Sequence, residues 1–492
     1  MGPRLWICSA GIFVASLALY LFTLAPTVLW GDFGGFQTRA YTGEIGAHPV
    51  NHPLWLYLAR PLVLLPVGDV AYRVTLSAAL FAALALVVVF LLVNYLTRSL
   101  LASLLATVAL ALSHTFWTYA VVPKNYSLNS LMLASMIFLL LLWRDKRRSW
   151  HLYAFAFLFG LSLMSHLIML TAAPAFLFFI LMVTRGMKWR PLLGGGLFFL
   201  LGLAPYLLLM ASTGQTGTTG GFVTGPLAGF AKLLVSPRDL LLALTTLALT
   251  LGYQFFFWLI PGLVGIWGLL RRDFTAGAML ALAYLGVVAF VSVPTAEGPA
   301  MQHWHLYMTS YVIFALWIGM GLKELRPRLP TTGMGWLVLL VPVLALPILT
   351  YAVIPTVARD YPHLLGVRDV PGRDSARFLF TPWKQGVYGA RTFGEEVFRT
   401  LPPDAIIIAD WTLASPLMYL QQVEGQRPDV EIAELYAQEQ VPYALKHYQA
   451  NPLFLANTEA YYDIAGLSQH FDILPQGPVY QLVPKPPLSR TQ

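Results

Sequence analysis

The sequence predicts a polytopic α-helical membrane protein with a small α/β domain at its C-terminal end. Of its 492 residues, 57% are hydrophobic and only 11% are charged, whereas soluble globular domains carry about 25% charged residues. Long apolar runs recur along the first part of the chain and cease after about residue 358, where charges, prolines and glycines become frequent. We therefore predict a membrane domain over residues 1–357 and an extracytoplasmic α/β domain over residues 358–492.

Hydropathy in a window of about 19 residues predicts about eleven transmembrane helices in the first domain. The eighth of them is long enough to be broken or strongly tilted, and Pro261 can kink it. The apolar segment 54–67 contains an arginine and two prolines, so we predict a re-entrant or interfacial helix there. The predicted spans lie near residues 5–27, 74–96, 100–118, 127–143, 151–165, 167–184, 192–211, 240–270, 276–294, 306–322 and 335–356.

The basic residues predict the orientation of these spans. The N-terminus and one set of loops hold fourteen lysine and arginine residues, and the opposite loops hold six. The positive-inside rule then places the N-terminus in the cytoplasm and the loop 31–73 outside. An odd number of spans carries the C-terminal domain to the outside as well. The net charge of +8 is therefore a signal of membrane topology, and we predict no nucleic-acid partner.

The C-terminal domain shows the pattern of one βαβ unit. Residues 405–409 are typical of a buried strand, preceded by a helical stretch at 393–401. A helix near 412–423 and a second strand at 430–432 follow. Asp410 lies at the end of the first strand, where open α/β sheets bind ligands. Because no glycine-rich phosphate loop accompanies it, a structural cap or an acceptor-docking role is favoured over a second active site.

Ionisable residues gather where the predicted outer loops leave the membrane. Charged groups near hydrocarbon are costly, so they are functional candidates by default. We favour a function for Asp32, the first residue with a charge after the first span, whereas each histidine fits solvation of a loop end equally well. A carboxylate with cations and histidines can deprotonate a hydroxyl and hold a phosphate. The candidates are Lys124, His166, His303 and His305 for phosphate binding, and Glu44, His48, His52, Tyr126, Glu297 and Gln302 for acceptor binding or support.

The spacing of the histidines gives little support for a metal site. His303 and His305 lie on the same side of an extended segment but not of a helix. His48 and His52 have the spacing of a helical ligand pair, but prolines beside each of them disfavour a helix. Since no closed four-ligand pattern is present, we assign no metal ligands. A divalent cation such as Mg²⁺ or Mn²⁺ at Asp32 stays open as an alternative.

Several short motifs resemble one family of membrane glycosyltransferases. In the first half these are the run from Gly31 to Gln37, Gly46 to Pro49 with Pro53 and Leu54, Gly68 to Val74, Phe116 to Thr118, Tyr126 to Asn129, and Gly160 to Leu163 with His166. In the C-terminal domain they are Leu401 to Ala405, Tyr419 to Gln421 and Arg427 to Val430. The chain resembles the GT-C family of transmembrane O-mannosyltransferases that act on plexin-type immunoglobulin-like domains, together with their bacterial relatives.

The resemblance implies a GT-C fold and transfer of a sugar, with mannose as the family's example, from a polyprenyl-phosphate donor. It implies an acceptor hydroxyl on a protein, a glycan or a lipid at the outer face of a bacterial cytoplasmic membrane. Asp32 occupies the position of the family's catalytic acid, so the resemblance makes it the general base of an inverting transfer.

Two departures from the family pattern keep alternatives open. The family commonly has a second acid where this chain has Gly35, and a glutamate where it has Lys124 and Asn125. Glu44 or Glu297 can substitute, metal dependence can be lost, or the chain can be a non-catalytic scaffold that binds lipid-linked sugar. A transporter or flippase of lipid-linked saccharides is the other alternative. The nearly charge-free spans and the lack of an internal repeat favour an enzyme over it.

Overall fold

The computed structural model describes residues 2–46, 51–185, 189–214, 235–295, 300–326, 333–361 and 368–486, and of 292–295, 300–303, 333–340 and 342 only the backbone. The first part is a bundle of apolar helices. Its α-helices are α1 Pro3–Phe22, α2 Asp32–Thr42, α3 Pro53–Ala59, α4 Val70–Thr97, α5 Leu100–Ala111, α6 His114–Ala120, α7 Tyr126–Lys146, α8 Ser149–Ser162, α9 Ala173–Thr184, α10 Arg190–Thr213, α11 Pro237–Phe255, α12 Leu259–Arg272, α13 Phe274–Thr295, α14 Met308–Leu325 and α15 Gly333–Ala358. Short 3₁₀ helices cover Arg60–Leu64, Leu167–Ala172, Phe256–Trp258 and Ala300–Tyr307.

The helix lengths confirm a multi-pass membrane protein. Among the described residues, eight helices are long and apolar enough to cross a membrane, or nine if α5 and α6, bent by 69°, form one span. The sequence-based count of about eleven is higher for a physical reason. The predicted span at 151–165 is the 14-residue α8, which at 1.5 Å per residue covers about 21 Å of a hydrocarbon layer about 30 Å thick. The predicted span at 335–356 coincides with α15, whose side chains are described at Val341 and from Val343 onward.

The predicted long eighth span is one apolar stretch, Pro237–Arg272, whose α-helix is interrupted, but not at Pro261. The break is the 3₁₀ turn Phe256–Trp258, where Phe256 has a positive φ of 42°. Pro261 lies in the first turn of α12, where a missing N–H leaves no intrahelical bond unmade. The following glycines allow close packing against α14: a Cβ on Gly265 would clash with the carbonyl of Trp317.

The C-terminal part is a mixed five-stranded sheet with short helices. The strands are β1 Ile406–Ala409, β2 Glu431–Glu434, β3 Leu453–Leu455, β4 Phe471–Gln476 and β5 Val479–Pro484, in the order β2-β1-β3-β5-β4. The helices are α16 Ser375–Phe380, α17 Gly389–Thr400, α18 Trp411–Gln422, α19 Ala437–His447 and α20 Ile464–His470. β1 pairs in parallel with β2 and β3, and β5 pairs antiparallel with β3 and β4. The predicted βαβ unit is confirmed as β1-α18-β2, and three further strands extend it.

The sheet region packs directly on the first loop of the membrane region. Val28, Trp30 and Ala71 join the hydrophobic core of the sheet, and the Trp30 ring lies 5.2 Å from that of Phe393 between centroids. The Tyr419 hydroxyl accepts a hydrogen bond from the backbone N–H of Ala71. This packing brings α18 against α2.

Arg391 on α17 joins the two regions by charge. Its guanidinium bonds the Thr27 hydroxyl at 2.7 Å, Asp69 at 3.2 Å and Glu395 at 3.1 Å, and it also pairs with Glu424. Burial alone would lower the pKa of Arg391, but the hydrogen bonds to Glu424 and Glu395 outweigh it and raise the pKa.

Replacing Arg391 with Met should loosen the sheet region from the membrane region. We expect a loss of about 1–3 kcal/mol of stability, because partly buried carboxylates lose a charged partner. The measurement is thermal unfolding of the purified protein followed by tryptophan fluorescence. Exposed Arg399 on the same helix gives the control variant Arg399→Met. An equal melting temperature in both variants would show that Arg391 contributes nothing.

Candidate active site

Asp32 lies at the point where the first outer loop meets the sheet region. It is the first residue of α2, and Gly31 before it has a positive φ of 59° and donates its N–H to the Thr412 carbonyl at 3.2 Å. The chain therefore turns sharply and starts a helix directly against α18. The Asp32 side chain is 61% exposed, so it faces the space above the helix bundle.

Lys124 supplies the cation beside Asp32. Its Nζ lies 2.8 Å from Asp32 Oδ2 and 4.4 Å from the centroid of the Phe36 ring, and its side chain is 10% exposed. The neighbouring Asn125 amide donates to the Ser165 carbonyl at 3.0 Å and fixes this turn between α6 and α7. Burial alone would raise the pKa of Asp32, but the Lys124 ammonium, the Trp411 hydrogen bond and the Arg39 charge together outweigh it and lower that pKa. Burial lowers the pKa of Lys124. The carboxylate is thus held in its ionised form.

Trp411, the first residue of α18, holds the other carboxylate oxygen. Its indole N–H donates to Asp32 Oδ1 at 3.0 Å. Its ring lies over Gly35 so closely that a Cβ there would overlap the ring atoms, and the Arg39 guanidinium lies 5.2 Å from its centroid. Asp32, Gly35 and Arg39 share one face of α2. The ring fills the position next to Gly35, where the family commonly has its second acid.

Replacing Gly35 with Ala should move the Trp411 ring and break its bond to Asp32. A hydrogen bond to a charged group is worth about 1.5–3 kcal/mol, so, for the transfer reaction that the sequence predicts, we expect kcat/KM to fall about ten- to hundredfold. Trp411→Phe, which keeps a ring but lacks the N–H, should show a similar loss. Gly196→Ala, in open space on α10, is the matched control. Wild-type kinetics in Gly35→Ala would refute this role of the indole.

A divalent cation does not fit this arrangement. The Lys124 ammonium lies at hydrogen-bond distance from one carboxylate oxygen and the indole N–H from the other. A metal ion at Asp32 would meet a buried positive charge. Among the described residues no group of three or more His, Cys, Asp or Glu side chains is arranged to hold a metal ion.

Imidazole and phenol rings form a buried layer next to Lys124. His52 stacks on His166 at 5.0 Å between centroids, and the Tyr126 ring lies 6.2 Å from His166 and 4.9 Å from His305. Burial holds the pKa of His52 well below its usual range, and burial with the nearby Lys124 charge lowers that of His166 to about 4. His166 is therefore neutral at pH 7. Because its Nδ1 accepts the Ile168 N–H at 3.0 Å, we assign the proton to Nε2.

The other predicted site residues are not all brought to Asp32. Glu44 is exposed beyond the far end of the 11-residue helix α2. That end is about 16 Å along the axis from Asp32, so Glu44 does not replace the missing acid. His48 and Glu297 lie outside the described residues, and of Gln302 and His303 only the backbone is described, in the 3₁₀ helix Ala300–Tyr307.

A cleft of about 630 Å³ opens above Asp32, between α2 and the sheet. Its remaining walls include Arg39, Trp411, Glu434 and Tyr461, none of which we predicted from the sequence. Asp410 also lines it, but its oxygens cap α18, pair with Arg368 at 2.6 Å and accept from the Tyr462 hydroxyl. Asp410 thus has the partners of a structural cap. Its position after β1 is the one feature of the sequence that predicted a ligand site at the edge of the sheet that lines this cleft.

Asp32 and Lys124 lie in a part of the chain that matches the model of a known family. Residues 32–189 match the family described as the N-terminal domain of protein O-mannosyl-transferase TMEM260. This part of the chain is similar to the TMEM260 family. Over 235 residues the chain is 28% identical to protein O-mannosyl-transferase TMEM260 of Mus musculus, an alignment that covers 44% of this chain and 33% of the mouse protein. The chain thus matches about a third of the length of that relative.

Solved structures confirm the GT-C fold over the whole chain. ArnT from Cupriavidus metallidurans bound to undecaprenyl phosphate has a TM-score of 0.62 at 15% identity, with all of both chains covered. The Archaeoglobus fulgidus oligosaccharyltransferase in the apo form has a TM-score of 0.50 at 12% identity, covering 92% of this chain and 69% of that one. The TMEM260-type region carries Asp32, Gly35 and Lys124, whereas Trp411 comes from the sheet region outside it.

Proposed function

We propose that this protein is a glycosyltransferase that moves a sugar from a polyprenyl-phosphate carrier to an acceptor hydroxyl, with inversion at the anomeric carbon. The observation that carries the proposal is the Asp32 carboxylate at the floor of an open cleft, held from two sides by Lys124 and Trp411. The undecaprenyl phosphate bound to ArnT supports the carrier class, and the TMEM260 name supports mannose as the first donor sugar to test.

In the proposed reaction Asp32 is the general base. Its carboxylate takes the proton of the acceptor hydroxyl while the hydroxyl oxygen forms a bond to the anomeric carbon. The bond between that carbon and the phosphate oxygen breaks, and its electron pair leaves with polyprenyl phosphate. Because Asp32 stays ionised across neutral pH, it is ready to accept the proton. The two donors fix its direction before the substrates arrive.

We assign the donor phosphate to the neighbourhood of Lys124. Negative charge grows on the phosphate as the glycosidic bond breaks, and a preorganised cation at low exposure stabilises it more strongly than water does. Neutral His166 can add a hydrogen bond from Nε2 but no charge. The acceptor is assigned to the cleft above Asp32, which is open enough for a segment of a protein, a glycan or a lipid headgroup.

The setting of the reaction follows from topology. We propose that the loop 31–73 and the sheet region, within the second domain of 358–492, lie at the outer face of a bacterial cytoplasmic membrane. The charge asymmetry of the loops supports this orientation, and the direct packing of α18 on α2 requires both to lie on one side.

The test is a transfer assay with the purified full-length protein in nanodiscs. It offers radiolabelled polyprenyl-phosphate sugars, mannose first, with secreted-protein and membrane extracts as acceptors. We expect label on an acceptor with the wild type and none with Asp32→Asn. Binding of donors without any transfer across the panel would refute the enzyme and favour a flippase or scaffold.

A further inference from the structure

A second pocket, lined in part by basic side chains, lies beside the candidate active site. It has a volume of about 400 Å³ and lies between α16 and the start of α17. Three of its lining residues are cations: Arg373, Arg377 and Lys384. None of the catalytic steps proposed above uses them.

Two of these cations are held with hydrogen-bonding capacity to spare. Lys384 is 1% exposed, and its ammonium donates to the carbonyls of Phe378 at 2.7 Å and of Thr381. An ammonium has three protons, so one is left for a further acceptor. Arg373 donates from one guanidinium nitrogen to the Arg368 carbonyl, while its Nε is buried and has no hydrogen-bond partner among the described residues.

The carboxylates nearby offset only part of the positive charge of the pocket, because each has another partner. Asp374 pairs with Arg359, and Asp369 accepts the Ser375 hydroxyl at 3.0 Å. Within the described ranges no carboxylate lies at ion-pair distance from Arg373, Arg377 or Lys384. Burial and the two neighbouring guanidinium groups lower the pKa of Lys384 to about 7, and burial lowers that of Arg373 to about 10. The pocket lining thus holds three basic side chains and one carboxylate, Asp374, which is already paired with Arg359.

The pocket is separated from the active site by one pair of aromatic rings. Lys384 Nζ lies 4.7 Å, and the Arg373 guanidinium carbon 5.2 Å, from the centroid of the Phe378 ring. Phe378 in turn lies 6.4 Å from the ring of Phe33, the residue after Asp32. An anion in the pocket would therefore lie close to Asp32 without contacting Lys124 or Trp411, the two residues that bond its carboxylate.

We propose that this pocket binds a phosphate monoester, and that in the proposed reaction it receives the phosphate of the spent polyprenyl carrier. The second part rests on the proposed function. The donor is a phosphodiester with one negative charge, whereas transfer leaves a monoester with a charge of about −1.5 to −2 at pH 7. The Arg373 and Arg377 guanidinium groups favour the more highly charged product, and its negative charge would also keep the Lys384 ammonium protonated. The pocket thus draws the spent carrier away from Lys124, so that a new donor can bind.

The experiment measures binding of radiolabelled farnesyl phosphate to the full-length protein in nanodiscs, in a Lys124→Met background that weakens the first phosphate contact. Competitors are inorganic phosphate, the methyl diester of farnesyl phosphate, and farnesol. Test variants are Arg373→Gln and the exposed Arg377→Gln, which is less prone to misfold, with Arg399→Gln as the exposed control. We expect about tenfold weaker binding with Arg373→Gln and a smaller loss with Arg377→Gln. Farnesol and the diester should compete poorly.

The outcomes separate the two proposals. Equal farnesyl phosphate affinity in the parent and both pocket variants overturns the pocket, even if sugar transfer succeeds. Loss of binding in the variants supports the pocket even if no sugar transfer is found, in which case only the proposed function fails. Competition by inorganic phosphate at concentrations similar to farnesyl phosphate would identify free phosphate as the ligand, and weak competition would identify the lipid.

Discussion

Asp32→Asn should abolish sugar transfer while the protein keeps its fold. General bases contribute about 10²–10⁴ in rate, and we expect an initial rate lower by that factor. An amide has the shape of a carboxylate and its oxygen can still accept from Trp411, but it cannot take the proton of a hydroxyl. The assay is transfer from the best polyprenyl-phosphate sugar at saturating donor and acceptor.

The controls for Asp32→Asn separate chemistry from folding. Glu396→Gln is the same carboxylate-to-amide change at an exposed position on α17 and should transfer at the wild-type rate. The melting temperature of Asp32→Asn should stay close to that of the wild type, since the side chain is 61% exposed. Transfer at more than a tenth of the wild-type rate would remove Asp32 from the role of base.

Much of the fold is predictable because the membrane imposes strong rules on sequence. Long apolar runs such as α4 and α7 are unmistakable, and Ile406–Ala409 is a fully buried strand between turn signals. Where the sequence pattern is weaker, the prediction missed a strand or took a short helix for a span. β4 alternates irregularly and is largely exposed, and α8 is apolar like a span but short. Composition records that a helix is apolar, not whether lipid or protein surrounds it.

The candidate site was predictable only in part, because one of the two groups that bond the Asp32 carboxylate comes from a distant segment. Asp32 and Lys124 could be grouped by topology, as both follow spans on the same side. Trp411 is 379 residues from Asp32, and nothing in its local sequence points to that partner. The vacant position at Gly35 was visible as a departure from the family pattern. Only the packing of α18 on α2 explains what fills it.

Lys124→Met should change the pH dependence of transfer as well as its rate. With Lys124 present, the pKa of Asp32 is lowered, so the base is ionised through the neutral range and well below it. Without the ammonium, the largest charge that opposes the effect of burial is gone, and the pKa of Asp32 rises. The protonated, inactive form then persists to higher pH. We expect the acid limb of the kcat/KM profile to move up by about one to three pH units, the usual effect of one close opposite charge.

The same variant should raise the apparent KM for the donor about tenfold or more, because a charge-assisted phosphate contact is lost. The two effects can be separated, since the donor effect persists at high pH where Asp32 is fully ionised. Lys446→Met, at an exposed position on α19, is the matched control and should leave both unchanged. If Lys124→Met shifts the acid limb but not the donor KM, then Lys124 serves Asp32 alone and the donor phosphate lies elsewhere. An unmoved acid limb would mean that a group other than Asp32 sets the pH dependence, and the assignment of Asp32 as base would lose its electrostatic support.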